Sequence, residues 1–381
     1  MRVIRIDNRT PSDKVLAMIG STPEGTKIMQ RKMSLELFYI EGLRTPAANI
    51  LKQDALSIGA ELAVEKDTIL CKDDRIDAVL IVNDKQRRIL AKKELAQPFG
   101  LKKVARALAS HRPIAYRRPQ IMGVVNANDD SFFAGSRFRG AAAVEAIAAM
   151  IDAGAEIIDI GGVSSRPGSR PVPAEEELAR IRPVVDAVAA EGLLSRARFS
   201  LDSYAPEPIA YALEKGFHIV NDITGLADDR VCALAAEHGA QVVLMHMQND
   251  PATMQHNPTY AHVIGDIDDF FAARLEKAAR YGIEDVVLDV GIGFGKRLEE
   301  NLKLIRHLGH FLHFGKPLLI GASRKSMIDM IVPTPVEERL AGTLAIHLKA
   351  AEEGASIVRC HDVRAHAQAF AVQEAIMETL I

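Results

Sequence analysis

A chain of 381 residues that is 48% hydrophobic and 25% charged has an ordinary globular composition and enough length to bury more than one core. Its net charge of −3 gives no electrostatic ground for a nucleic-acid or membrane-surface partner, and no run of about 18 apolar residues is present to cross a bilayer. Cys71, Cys232 and Cys360 are too far apart for a CxxC metal or redox site and read as reduced thiols; with an amino terminus that lacks an apolar signal core, they point to a cytoplasmic protein.

Residues 1–115 read as a small α+β domain. The apolar stretches 35–40 and 78–82 look like strands, and 46–59 and 101–110 carry Leu, Ile, Val and Ala at helical spacing. No chemical constellation appears there, and Lys52, Asp54, Lys66 and Asp67 read as surface charge. His111-Arg112-Pro113 breaks the last helix and Tyr116-Arg117-Arg118-Pro119 makes a basic turn, which places the boundary between 113 and 118.

From Gln120 onward, short apolar runs alternate with amphipathic helices. The runs are 121–125, 156–160, 198–201, 218–220, 241–245, 285–288, 317–320 and 356–358; helices are read at 140–153, 174–190 (with Pro183 as a kink), 267–281 and 337–353. Eight such units over residues 116–381 predict an α/β fold, a (β/α)8 TIM barrel, with a doubly wound open sheet as the alternative.

A barrel presents its chemistry at the carboxyl ends of its strands. In chain order those ends carry Asn126, Asp159, Asp202, Asn221-Asp222, His246, Asp289, Lys325, and Arg359 with His361. Asp202, Asn221, Asp289 and Lys325 mix acceptors with donors in a way that suits a flat heterocycle with an aminopyrimidinone edge. Asn126, Arg166, Arg359 and His361 have the parts of a phosphate or diphosphate site, with Asn126 open to a hard cation such as Mg2+. Two long loops, 126–139 and 161–173, have the composition of lids over the mouth. Gly291 to Lys296 resembles a phosphate-cradling loop, but its spacing fits a turn that sets Phe294 as a pocket wall better. His246 is a possible ligand and Met245 reads as packing, while His218 and His310 read as structural or surface residues.

The ordered segments MGVVNANDDSF, DIGGVSSRPGS, SLDSY, IVNDITGL, VVLMHM, LDVGIGFGK, GASRKS, ERLAGTLA and VRCHDV resemble those of the dihydropteroate synthases, over roughly residues 120–380. The resemblance implies a folate-pathway transferase joining (7,8-dihydropterin-6-yl)methyl diphosphate to 4-aminobenzoate, with Mg2+ on the leaving diphosphate. It also implies a dissociative reaction. The pterin edge would fall to Asp202, Asn221, Asp289 and Lys325, and diphosphate with Mg2+ to Asn126, Arg359 and His361, assisted by Arg166. The aminobenzoate would meet Phe132, Ser165, Pro167, Phe294, Lys325 and Ser326.

This sequence departs from the family at Asn128-Asp129, where Thr-Pro is usual, and at Val163, Ser165 and Val290. The alternatives are a pterin-dependent methyltransferase and a non-catalytic pterin-binding paralogue. The family resemblance further implies small-molecule substrates and a homodimer paired through the last helices, around 337–353 and 365–380.

Overall fold

A computed structural model describes residues 1–7, 10–127, 141–163, 172–249 and 253–380. The chain separates into two compact units, Met1–Pro113 with Ala375–Ile381, and Ile114–Glu374.

The first unit is built on a three-stranded antiparallel sheet, β1 (Glu36–Arg44), β2 (Glu61–Val64) and β3 (Arg75–Val82), in the order β1-β3-β2. Alternation along β3 buries Ile76, Ala78, Leu80 and Val82, as expected of a sheet covered on one face. Helices Thr45–Leu56, Asp84–Lys93 and Leu101–Ser110 supply Ala47, Ala48, Leu51, Leu90, Leu101 and Leu108 to the same core. The four-residue β2 and the helices Ser12–Met18, Pro23–Met33 and Asp84–Lys93 were not expected from the apolar pattern. Pro23–Met33 buries no residue, so it has no stripe to read. Asp84–Lys93 did carry a local signal: Asn83 and Gln86 form a reciprocal capping box at 3.0 and 2.9 Å.

The second unit is a closed parallel barrel of eight strands: β4 (Gln120–Asn126), β5 (Ile157–Gly161), β6 (Arg198–Asp202), β7 (Ile219–Asp222), β8 (Gln241–Met245), β9 (Val286–Asp289), β10 (Leu318–Ile320) and β11 (Ile357–Cys360). Each strand pairs with its neighbour in sequence and β11 closes on β4, so the open-sheet alternative does not hold. Helix Ala174–Ala190 runs on through Pro183.

Strand alternation divides the barrel side chains into two sets. Met122, Ile157, Ile219, Val243, Val287, Leu319 and Ile357 form one buried cluster. Their strand neighbours Ile121, Ile158, Val220, Val242, Val286, Leu318 and Val358 belong to the larger core shared with the helices. The first set is the interior layer of the barrel, filled with branched side chains as barrels of this size require. On β6 the corresponding position is Ser200, which is buried in register with Ile219.

Candidate active site

Two residues beyond the interior layer, on the same side of each strand, the chemistry changes. Ile157 leads to Asp159, Ser200 to Asp202, Ile219 to Asn221, Val287 to Asp289 and Ile357 to Arg359; Asn126 lies four residues beyond Met122. The period of two therefore aims all six polar side chains into the barrel mouth above an apolar floor. Register agrees, with Gly161 opposite Asp202, Asp202 opposite Asn221, and Met245 opposite Asp289.

Arg359 is the hub of this layer. Its Nε donates to Asp159 Oδ2 at 2.6 Å and its Nη2 to Asp202 Oδ2 at 2.7 Å. Asp159 is fully buried, and the same oxygen accepts from Asn221 Nδ2 at 3.1 Å. Burial opposes the charge of Arg359, but the two carboxylates more than compensate and hold its guanidinium firmly protonated. Burial pushes the Asp202 carboxyl up from the usual range, while Arg359 and Lys325 pull it back against the repulsion of Asp159 and Glu177. Asp289 is raised for the same first reason, opposed by the Gly291 N–H donated to Oδ1 at 2.8 Å and then by Lys325, Lys296 and Arg359.

The run Gly291 to Lys296 folds back over the ends of β8 and β9. Gly291 sits at φ +67°, and a Cβ there would lie 2.0 Å from the His246 carbonyl oxygen, so only glycine fits. Gly293, at φ +81°, would drive a Cβ to 2.9 Å from Lys325 Cδ. Lys296 is buried and pins the loop by donating to the carbonyls of His246, Gly291 and Phe294 at 3.1, 3.0 and 2.9 Å. Lys325 donates to the Ile292 carbonyl, and its Nζ lies 4.1 Å from the centre of the Phe294 ring. Burial drives both lysines down to about 7, with Asp289 opposing.

Behind Lys325, the turns after β10 and β11 are tied together. Ser323 Oγ lies 2.8 Å from His361 Nδ1 and accepts the His361 N–H at 3.2 Å; burial, with Arg359 adding to it, lowers this imidazole to about 4. Arg324 forms a two-point pair with Asp362 at 2.9 and 2.8 Å and donates to the carbonyls of Val336 and Glu337. Deeper still, the Ala322 N–H donates to His347 Nε2 at 3.0 Å, His347 Nδ1 meets His366 Nε2 at 2.8 Å, and His366 Nδ1 meets the Asp362 carbonyl at 2.7 Å. The first donor and the last acceptor fix every proton between them, so both imidazoles are neutral with hydrogen on Nδ1. Burial lowers both, in agreement.

The structure thus gathers Asn126, Asp202, Asn221, Asp289, Lys325, Phe294, Arg359 and His361 at one rim. Arg359 reaches the carboxylates of the expected pterin side, and its charge is matched there. Ser326 is exposed at the start of the six-residue helix Ser326–Ile331. Phe132, Ser165, Arg166 and Pro167 lie outside the described residues, as does most of both expected lids. His246 is buried against Phe270 and Tyr260 with its ring centre 4.9 and 6.0 Å from theirs, which is core packing.

Asp159, Lys296 and the His347–His366 pair were given no role from sequence, and Ser323, a candidate there for holding an anionic or electron-rich group, is found against His361. Among the unassigned residues only Asp159 carried a signal, its place two residues beyond an interior isoleucine. Asp222 turns away to accept the Thr224 and Leu226 N–H groups at 2.7 and 2.8 Å and shapes the turn after β7.

An Asn126 amide oxygen beside the Asp202 carboxylate is a donor set compatible with Mg2+. The position a Cβ on Gly161 would take lies 3.6 Å from Asp202 Cβ, 3.8 Å from Asp202 Oδ2 and 3.9 Å from Asn126 Oδ1, so the glycine leaves no side-chain carbon between the two oxygens. One neutral oxygen beside an already paired carboxylate suits an ion that arrives with its phosphates.

Residues 122–361 match the family model described as pterin binding enzyme. The chain is 40% identical over 365 residues to the bifunctional dihydropteroate synthase/dihydropteroate reductase of Helicobacter pylori, covering 96% of each chain. It is similar in fold to the Yersinia pestis dihydropteroate synthase solved with a sulfonamide drug complex, at 38% identity and TM-score 0.65, over 69% of this chain and 95% of that one. It is also similar to the Thermus thermophilus dihydropteroate synthase in complex with 4-aminobenzoate, at 41% identity and TM-score 0.60, over 68% of this chain and 95% of that one.

Proposed function

The chain belongs to the dihydropteroate synthase family of pterin-binding enzymes, transferases of folate biosynthesis, and we propose that its barrel rim divides the reaction between a pterin floor and a diphosphate mouth. On the floor, Asp202, Asn221 and Asp289 take the pterin's donor and acceptor edge while Lys325 reaches a ring nitrogen or carbonyl. At the mouth, Asn126, Arg359 and His361 meet the diphosphate, assisted by Arg166, and Arg359 also braces the floor through Asp159 and Asp202. The aminobenzoate is met by Phe294 and Ser326 together with Phe132, Ser165 and Pro167. The observation that carries this reading is the single polar layer two residues above the barrel's apolar interior.

The chemistry asks for no nucleophilic side chain. The methylene carbon–oxygen bond breaks with its electron pair leaving on diphosphate, the pterin ring spreads the positive charge, and the aniline nitrogen lone pair forms the new carbon–nitrogen bond and then sheds its proton. Placement and electrostatic support of the departing charge are the protein's contribution. When bound, Mg2+ would be held by Asn126 with the diphosphate and would neutralise charge on the leaving group. The test is diphosphate release from the dihydropterin substrate with and without 4-aminobenzoate, with dihydropteroate identified as product. No dihydropteroate formed when both substrates are supplied would favour the methyltransferase or paralogue readings instead.

A second activity has one specific support. The Helicobacter pylori relative named both synthase and dihydropteroate reductase matches 96% of this chain, which takes in the antiparallel unit that the pterin model does not reach. We infer that this chain also reduces its product, adding hydride and a proton to the dihydropterin ring from an external hydride donor. Formation of tetrahydropteroate when a dihydronicotinamide or dihydroflavin is added would support this; dihydropteroate persisting with every donor would refute it.

Among the described residues no helix is long and apolar enough to cross a membrane. We further propose a cytoplasmic homodimer. Met330, Ile331 and Val332 are exposed in a row, and Val372 and Ile376 are exposed one turn apart on helix Val363–Glu378. Light scattering giving the monomer mass would reject the pairing.

A further inference from the structure

Outside the barrel rim, one cluster has the composition and spacing of a metal centre. Asp268 lies in helix Val263–Arg280, and His310 and His313 lie three residues apart in the 3-10 helix Leu308–Phe314. Three residues make one turn of a 3-10 helix, so its side chains at i and i+3 stand one above the other. Both imidazoles accordingly present Nε2 to the same oxygen, Asp268 Oδ1, at 3.3 Å from His310 and 2.8 Å from His313. The three ligand atoms all lie within 4.8 Å of one another.

A tetrahedral zinc site with bonds of about 2.0–2.1 Å has ligand-to-ligand edges of about 3.3–3.4 Å. Of the three edges, the one from Asp268 to His310 already has that length, the one to His313 needs to open by about half an ångström, and the one between the imidazoles lies within 4.8 Å. Phe271, Phe311 and Phe314 pack behind the rings, while the His310 side chain is 45% exposed, so the cluster has an apolar back and a face open to water.

We propose that Asp268, His310 and His313 bind one zinc-class divalent ion, with water in the fourth position, and that the ion ties helix Val263–Arg280 to the segment leading into β10. Two imidazoles and a carboxylate suit Zn2+ better than Mg2+ or Ca2+, which favour all-oxygen sets. None of the three residues lies at a strand end, so the site is separate from the Asn126 cradle.

The full chain, stripped with chelator and desalted, is loaded with Zn2+, and retained zinc is measured after gel filtration alongside thermal melting. The wild type is expected to keep about one equivalent and to melt higher with zinc than without. Both effects should be lost in His310→Ala, an exposed position whose truncation leaves the fold intact, and in the near-isosteric Asp268→Asn. Zinc retention and melting shift equal in all three proteins would show only adventitious binding by other histidines, and absence of retention in the wild type would show an imidazole–carboxylate hydrogen-bond cluster; either overturns the proposal.

Discussion

At the scale of single residues, the sharpest consequences come from Gly291, Gly293 and Glu94. Gly291→Ala puts a Cβ 2.0 Å from a carbonyl oxygen at a left-handed φ, and should cost more than about 3 kcal/mol in denaturant titration. Gly293→Ala shares the left-handed φ but its Cβ meets only the flexible stem of Lys325, so it should cost about 1–2 kcal/mol, less than Gly291→Ala, while lowering turnover by on the order of tenfold or more. The contrast separates a backbone role from a lysine-positioning role.

Glu94 is fully buried beside Asp54, whose carboxylate is held by Lys93 at 2.9 Å and Gln97 at 3.0 Å. Neither Glu94 oxygen has a hydrogen-bond partner among the described residues, yet a protonated Glu94 can donate to Asp54. Burial, then Asp54, raises it to about 7. The folded chain thus keeps a proton that the unfolded chain releases near 4.5, so this contribution is complete below that pH and is lost as pH rises through about 7. Glu94→Gln should be more stable than wild type at pH 8 by on the order of 1–3 kcal/mol, with the gain shrinking toward pH 5. Sequence alone gave no sign of this pair, because Asp54 reads as surface charge until the helix Thr45–Leu56 is seen against the rest of its unit.

At the scale of elements, the barrel strands were legible because both of their faces are buried, which leaves near-continuous apolar runs such as Leu318–Ile320 and Val286–Asp289. Their polar ends were legible for the same reason: a charged residue closing an apolar run stands out. What could not be read is which side a strand-end residue faces, since that depends on register; Asp222 looks equivalent to Asn221 in sequence but turns into a local cap. Nor could sequence show that Arg324 and Lys325, adjacent in the chain, do different work. Arg324 is consumed by Asp362, and Arg324→Ala should destabilise the barrel by on the order of 3 kcal/mol by leaving that carboxylate partnerless.

The His347–His366 chain belongs to this scale too, because it joins the turns after β10 and β11. Burial holds both imidazoles below the ordinary value of 6.5, so their contribution is present above that pH and falls away in acid. His366→Ala should cost about 1–3 kcal/mol at pH 8 and show a weaker loss of stability than wild type on acidification below 6.5.

At the scale of the whole molecule, two units with separate cores argue against a single cooperative transition. Calorimetry should resolve two unfolding events, and a pterin ligand should raise the melting temperature of only one of them, in proportion to its occupancy. The barrel was legible from periodicity and from the family segments. The antiparallel unit was legible only in outline, because a short edge strand such as Glu61–Val64 and a helix without buried residues such as Pro23–Met33 leave no pattern in composition.

The claim on which the functional account rests is that Asp202, Asn221, Asp289 and Lys325 line one pterin pocket. Its most direct test is the dissociation constant of a dihydropterin, measured calorimetrically for the wild type and for Asp202→Asn, Asn221→Ala, Asp289→Asn and Lys325→Ala. Loss of a buried hydrogen bond to a bound ring predicts weakening of about tenfold or more in every variant, with the fold retained. Wild-type affinity in two or more of the four would contradict the pocket.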